Sequence, residues 1–254
     1  MKTIIINLSD ILPVDIHKSI RAFIHLRKAN TERCCGLATY ATTLFGVTDS
    51  PYVKGVLFAA NRSLIPQYRT GKITTEEFMQ GCLYYYFPQP AQYDKEDWDN
   101  RLKQAWNMMI EVDSAKMNGF LDTIKNNPEI NFIVITNSND LHIAYFRKKL
   151  AELFEVTFTS DLEGKMLRCN EFENLTLYSS HMMQQFKTNG MIEKIIETRE
   201  LNPSETTVCT RYEDDRAKAE EIGCKGSKID ASFNYRLCFL TPCLAMHREI
   251  YTVL

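Results

Sequence analysis

Asn7, Ser9 and Asp10 follow directly on a β-branched apolar run, Thr3 to Ile6, at the start of the chain. Such a run predicts a short strand buried on both faces. An open parallel α/β sheet binds its ligands where strands deliver their carboxyl ends into a crevice. Asn7 and Ser9 therefore stand where such a sheet does chemistry. A second run, Asn131 to Ile135, is followed by Thr136-Asn137-Ser138-Asn139-Asp140. These hydroxyl and amide groups can cap the next helix, and a helix N-terminus is itself an anion site, so both roles can hold at once. A third run, Thr206 to Cys209, puts a thiol at a strand end ahead of a helix opening near Asp214. A thiol near a helix N-terminus is acidified and becomes a nucleophile. No His lies beside Cys209 in sequence, so a buried strand cysteine is the expected reading.

The elements that position these groups alternate in type. Between the first two strands, residues 14 to about 118 read as helical: Ile16, Ile20, Phe23 and Ile24 recur at helical spacing, as do Phe78, Cys82 and Tyr85. Thr74-Thr75-Glu76-Glu77 supplies an N-cap and an acidic first turn, and Pro88 and Pro90 interrupt the pattern before Trp98 to Met109. This block far exceeds a plain crossover, which needs only about a dozen residues, and points to an inserted helical subdomain. Helices are expected at Ala115–Asn127, from Leu141 through Leu150, at Met191–Leu201 and at Asp214–Ile222, the last ended by Gly223. Val156–Thr159 reads as a short strand, 161–190 as an irregular insertion, and Leu237–Leu240 as a strand before a short helix after Pro242. Strands alternating with helices call for a parallel sheet with right-handed crossovers, the doubly wound α/β class.

Composition narrows the function. The chain has 254 residues, 44% hydrophobic and 24% charged, with a formal charge of −2. That is ordinary globular composition, and the charge gives no footprint for nucleic acid or an anionic membrane. No apolar stretch reaches the roughly 18 residues that span a bilayer, and the chain enters a strand without signal-peptide zones. The expected location is the cytoplasm. The eight cysteines, at 34, 35, 82, 169, 209, 224, 238 and 243, form no Cys-x-x-Cys pair, and no histidine stands at zinc-ligand spacing beside them. Reduced, mostly buried thiols are expected.

Asn7-Leu8-Ser9-Asp10-Ile11-Leu12 after its apolar strand resembles the opening motif of the haloacid dehalogenase-like (HAD) hydrolases, Asp-x-Asp-Gly-x-Leu, with both acids replaced. Val134-Ile135-Thr136-Asn137 is similar to the family's second motif. Asn137 to His142, Gly71 to Phe78 and Ala105-Trp106-Asn107 resemble the helical-cap sugar-phosphate phosphatase branch. The resemblance implies a HAD-like Rossmannoid core, doubly wound around a parallel sheet, over 1–13 and 115–254, with a helical cap domain over 14–114. It puts Asn7 in the place of the attacking Asp and Ser9 in the place of the general acid–base. Thr136 and Asn137 would hold phosphoryl oxygens. Lys187, in Lys187-Thr188-Asn189-Gly190 where the family has Lys-Pro-Asp-Pro, would offset the charge, with Lys165 as its competitor and Lys194 less suited inside a helix. Counting back from Ala219 and Gly223, the fourth motif's Mg²⁺ acids fall on Thr210 and Asp215, with Asp214 serving if the register slips by one. The metal set thus spans the two opening positions, Thr210 and Asp215, and only Asp215 is an acid.

An amide oxygen is a far poorer nucleophile than a carboxylate, and a hydroxyl cannot exchange a proton near neutral pH as a tuned carboxyl does. Mg²⁺ wants one or two carboxylates plus phosphate and water. The expectation is therefore a HAD-like fold without Mg²⁺-dependent phosphatase activity, needing no cofactor and holding Mg²⁺ at most weakly. Its pocket would serve as a phosphate or anion site or as a binding module. Two alternatives stand beside it: a phosphohydrolase of a small phosphorylated metabolite rearranged around Asp10, Asp214 or Cys209, and a protein-interaction module using the cap and the 161–190 insertion. The implied partners are a small phosphorylated metabolite, another anion or a protein.

Overall fold

A computed structural model of the chain describes residues 2–12, 66–86, 95–187 and 190–229, with Lys18 and Ala22. In chain order its elements are β1 (Thr3–Asn7), α1 (Leu8–Ile11), α2 (Thr75–Tyr86), α3 (Lys95–Asn107), α4 (Ser114–Lys125), β2 (Asn131–Thr136), α5 (Asp140–Phe154), β3 (Phe158–Ser160), β4 (Leu167–Cys169), β5 (Leu175–Ser179), α6 (Ser180–Met183), α7 (Met191–Thr198), β6 (Thr206–Thr210), α8 (Glu213–Glu221) and β7 (Lys225–Lys228). They fall into two compact units. The first comprises Met1–Pro13, Val112–Asn137 and Arg147–Leu254, the second Val14–Glu111 and Ser138–Phe146.

The first unit is built on one sheet in the order β3-β4-β5-β2-β1-β6-β7. β1 is central because its residues bury both faces: all five are buried, and Ile5 is paired with Ile133 on one side and Val208 on the other. The amphipathic α7 lays Met191, Ile192, Ile195 and Ile196 into the cluster that holds Ile5, Ile133, Ile135 and Val208. α8 ends on Gly223 at φ +85°, where Gly223 N donates to Glu220 O and Cys224 N to Ala219 O. That is a Schellman stop, with a backbone angle that glycine adopts freely.

The sheet departs from the expected all-parallel form. β5, β2, β1, β6 and β7 are parallel, but β3 and β4 pair antiparallel and β4 runs antiparallel to β5. The segment 161–190 is therefore no irregular insertion: it holds β4, β5 and α6, and β5 lies next to β2. β5 escapes pattern reading because all five residues of Leu175-Thr176-Leu177-Tyr178-Ser179 are buried. With both faces covered there is no alternation, and its Thr and Ser break the apolar run. The interaction alternative thereby loses the insertion on which it partly rested. β7, Lys225-Gly226-Ser227-Lys228, escapes it too: an edge strand joined to β6 through its backbone carries no apolar signal. The expected strand at 237–240, the helix after Pro242 and most of the helical reading between 14 and 65 lie outside the described residues.

In the second unit α2 opens with a capping box, as its Thr-x-x-Glu spacing predicts. Glu77 N donates to Thr74 Oγ1 at 3.2 Å and Thr74 N donates to Glu77 Oε2 at 2.7 Å. Phe78 lies between Tyr68, stacked at 4.3 Å, and Trp106, tilted at 4.9 Å. Among the described residues no helix is long and apolar enough to cross a membrane.

Candidate functional site

Four parallel strands deliver polar residues to one edge of the first unit's sheet. β1 ends at Asn7, β2 at Thr136, β5 at Ser179 and β6 at Thr210, and all four are buried. The register places Asn7 opposite Ile135 and Thr136 opposite Ser179. Buried polar ends of this kind require partners, and the partners define the site.

Asn7 turns the strand into α1. Its Oδ1 accepts from Ser9 N at 3.4 Å, an N-cap that leaves the other half of the amide to be satisfied elsewhere. Asn7 is 2% exposed, and among the described residues nothing accepts from its Nδ2. Ser9 offers its main-chain oxygen to the Arg211 guanidinium. The same arginine holds Asp10: Arg211 Nε lies 2.8 Å from Asp10 Oδ1, and Arg211 N donates to Asp10 Oδ2 at 3.4 Å. Burial holds the Asp10 carboxyl above its ordinary value, although a hydrogen bond with Thr210 and the charges of Arg211 and Lys187 draw it down. Asp10, the candidate replacement nucleophile, is thus engaged in an ion pair.

Lys187 enters from the segment before α7. Its main-chain N donates to Asn137 Oδ1 at 3.0 Å, and its Nζ lies 3.1 Å from Asp215 Oδ2 in the first turn of α8. Tyr212 presents its ring to both cations, with Lys187 Nζ 5.3 Å and Arg211 Cζ 5.2 Å from the ring centroid, inside cation–π range. Thr210 Oγ1 accepts from Tyr212 N at 3.2 Å. The structure thus gathers Asn7, Ser9, Asp10, Asn137, Lys187, Thr210 and Asp215, with Thr136 at the neighbouring strand end. It leaves Lys165 exposed and paired with Glu163, and it leaves Asp214 exposed. Lys194 reaches Met183 O instead. Cys209 is buried in β6 and in no disulfide; burial pushes the Cys169 and Cys224 thiols up to about 11.

Sequence reasoning misses Arg211 and Tyr212. Their only signal is adjacency to Thr210, and no short-range pattern says that a side chain at 211 returns to residues 9 and 10.

The donor set does not suit a divalent ion. Asn7 gives its oxygen to Ser9 N and keeps a buried NH₂, a donor that cannot ligate a cation. The Ser9 carbonyl is taken by Arg211, the Thr210 hydroxyl accepts from Tyr212 N, and Asp215 is paired with Lys187. Among the described residues no group of three or more His, Cys, Asp or Glu is placed to hold a metal.

By sequence, no protein-family model and no curated protein matches this chain. By structure it resembles a HAD family enzyme from Bacteroides thetaiotaomicron, determined with magnesium and inorganic phosphate, at TM-score 0.60 and 18% identity over 94% of this chain and 98% of that one. A protein of Porphyromonas gingivalis described as a predicted HAD-like family hydrolase is similar at TM-score 0.61 and 17% identity, over 96% and 98%. The fold is therefore HAD-like: an α/β Rossmannoid core with a mixed parallel and antiparallel sheet and helical insertions.

Proposed function

We propose that this chain keeps the HAD-like hydrolase fold but has lost Mg²⁺-dependent phosphatase catalysis, and that its strand-end site now binds a phosphate-class anion. In this reading 14–114 is the helical cap, and 1–13 with 115–254 is the core. Asn7 fills the nucleophile position and Ser9 the acid–base position. Thr136, Asn137 and Lys187 are the anion-holding residues, and Asp215 is what remains of the metal acids.

The observation that carries the reading is the Asn7 side chain. An amide whose oxygen already caps a helix is no nucleophile, whereas its buried Nδ2 lacks an acceptor among the described residues. An unmade buried hydrogen bond costs about 1–3 kcal/mol, which an anionic oxygen would recover. The Lys187 ammonium lies in the same site, shared with Asp215 at 3.1 Å, and an arriving anion would compete for it.

The test is phosphate release from a panel of sugar phosphates and p-nitrophenyl phosphate, with and without Mg²⁺. Wild type is run beside an Asn7→Asp/Ser9→Asp/Thr210→Asp variant, and calorimetry follows inorganic phosphate binding to wild type. A silent wild type that binds phosphate is expected. Metal-dependent turnover by the wild type overturns the loss of catalysis, and absence of phosphate binding overturns the anion site.

A further inference from the structure

We propose that the Arg211 guanidinium stands where this fold would hold its divalent metal, so that the site carries its cation as part of the chain and receives its anion without a metal ion. The second half of the statement rests on the anion-site reading above; the first half does not.

The positions that the family resemblance assigns to the metal are the two opening residues, Thr210 and Asp215. Arg211 converges on the opening turn from one residue beyond the missing acid. Its guanidinium donates to the Ser9 main-chain oxygen, and its Nε is 2.8 Å from Asp10 Oδ1. Asp10 in turn shares a hydrogen bond with Thr210. The last position, Asp215, has its own cation, the Lys187 ammonium at 3.1 Å. Two carboxylates, Asp10 and Asp215, thus face two cations, Arg211 and Lys187, and their charges cancel. A divalent ion brought among these four groups would find no net negative charge to attract it and would have to displace a cation already in place.

A guanidinium suits this place because its planar fork contacts a carbonyl and a carboxylate at once and cannot deprotonate. The Asp10 side chain is 0% exposed and that of Arg211 is 49% exposed, so the arginine screens the acid while keeping an open face. The guanidinium donates to Ser9 and lies in ion-pair contact with Asp10, and a fork of five donors exceeds what these two partners use. Arg211 is in this sense a positioning residue, which holds the Ser9–Asp10 turn in shape as a bound metal would.

The experiment reads metal binding directly, with Mn²⁺ as a paramagnetic probe, the full chain and no phosphate present. Wild type, Asn7→Asp/Thr210→Asp, and Asn7→Asp/Thr210→Asp/Arg211→Ala are compared by the loss of the free Mn²⁺ resonance signal. The expected result is that the triple variant binds Mn²⁺ at least about tenfold more tightly than the double variant. Equal binding by the double and triple variants, or none by either, overturns the proposal. Should the triple variant not fold, Asn7→Asp/Thr210→Asp/Arg211→Gln, which keeps a polar side chain at 211, takes its place against the double variant: tighter Mn²⁺ binding by it is expected, and equal binding overturns the proposal. Failure of wild type to bind phosphate in the calorimetric test would remove the anion-site reading and leave these comparisons intact.

Discussion

Lys187 Nζ lies 3.1 Å from Asp215 Oδ2, with 8% and 6% of the two side chains exposed. The pair ties the segment before α7 to the first turn of α8, across 28 residues of sequence. Breaking a buried pair from one side strands a charge in a poorly solvated place and costs about 3–5 kcal/mol, whereas replacing both members by apolar groups is often neutral. Lys187→Met is therefore expected to destabilise strongly, and Lys187→Met/Asp215→Leu to regain most of the loss. Urea denaturation of the full chain measures both. A double variant as unstable as the single one would mean that the two charges are not coupled.

In the second unit His142 makes stability depend on pH. Its Nε2 lies 3.2 Å from Trp106 O, its Nδ1 lies 3.3 Å from Asn139 Nδ2, and its ring stacks on Trp106 at 5.1 Å. Burial pushes the imidazole down from 6.5 to about 3; the Trp106 carbonyl opposes this and the Arg69 charge adds to it. Between those values the unfolded chain takes up a proton that the folded chain refuses. The stabilisation is thus full above pH 6.5 and falls as pH drops toward about 3, at up to about 1.4 kcal/mol per pH unit. Thermal midpoints measured from about pH 7.5 down to about pH 5 are expected to fall more steeply for wild type than for His142→Gln. Parallel slopes would rule out a neutral, buried His142.

Gly190, which opens α7 just after the Lys187 segment, has φ +97°. A Cβ there would sit 2.6 Å from Gln185 Nε2. Gly190→Ala combines this clash, which the flexible Gln185 can relieve in part, with a left-handed backbone that costs a non-glycine residue about 1–2 kcal/mol. A loss of that size in urea denaturation is expected, and Gly190→Asn should lose less because Asn tolerates this region better.

The sheet itself supplies a contrast. Ile5 is 0% exposed and pairs with Ile133 and Val208 at the centre. Ile5→Ala should cost about 2–5 kcal/mol and Ile5→Val about 0.5–1.5 kcal/mol. Lys225→Ala, on the exposed edge strand, should stay within about 0.5 kcal/mol. Similar losses at the two positions would contradict the placement of β1 at the centre and β7 at the edge.

How far the chain can be read in advance follows from where the signals reside. β1 and β2 are short apolar runs ending in polar residues, so Asn7 and Thr136 are legible as strand ends without any partner, whereas β6 reads as a strand only to Cys209, one residue short of its end at Thr210. The capping box at Thr74 and Glu77 and the glycine stop after α8 are local hydrogen-bond devices, visible within a few residues. β5 is not legible because burial on both faces erases alternation, and β7 because pairing through backbone alone leaves no trace in side-chain type.

The amino-acid sequence by itself determined which chemical groups stand at the strand ends: an amide at Asn7 and a hydroxyl at Thr136. Tertiary structure alone decided which charges meet. Arg211 reaches Asp10 across 201 residues, and Lys187 reaches Asp215 across 28. Ion pairs and hydrogen bonds depend on separation in space. Here that separation is set by strand order, which lays β6 beside β1 and brings residues from opposite ends of the described chain to 2.8 Å from each other.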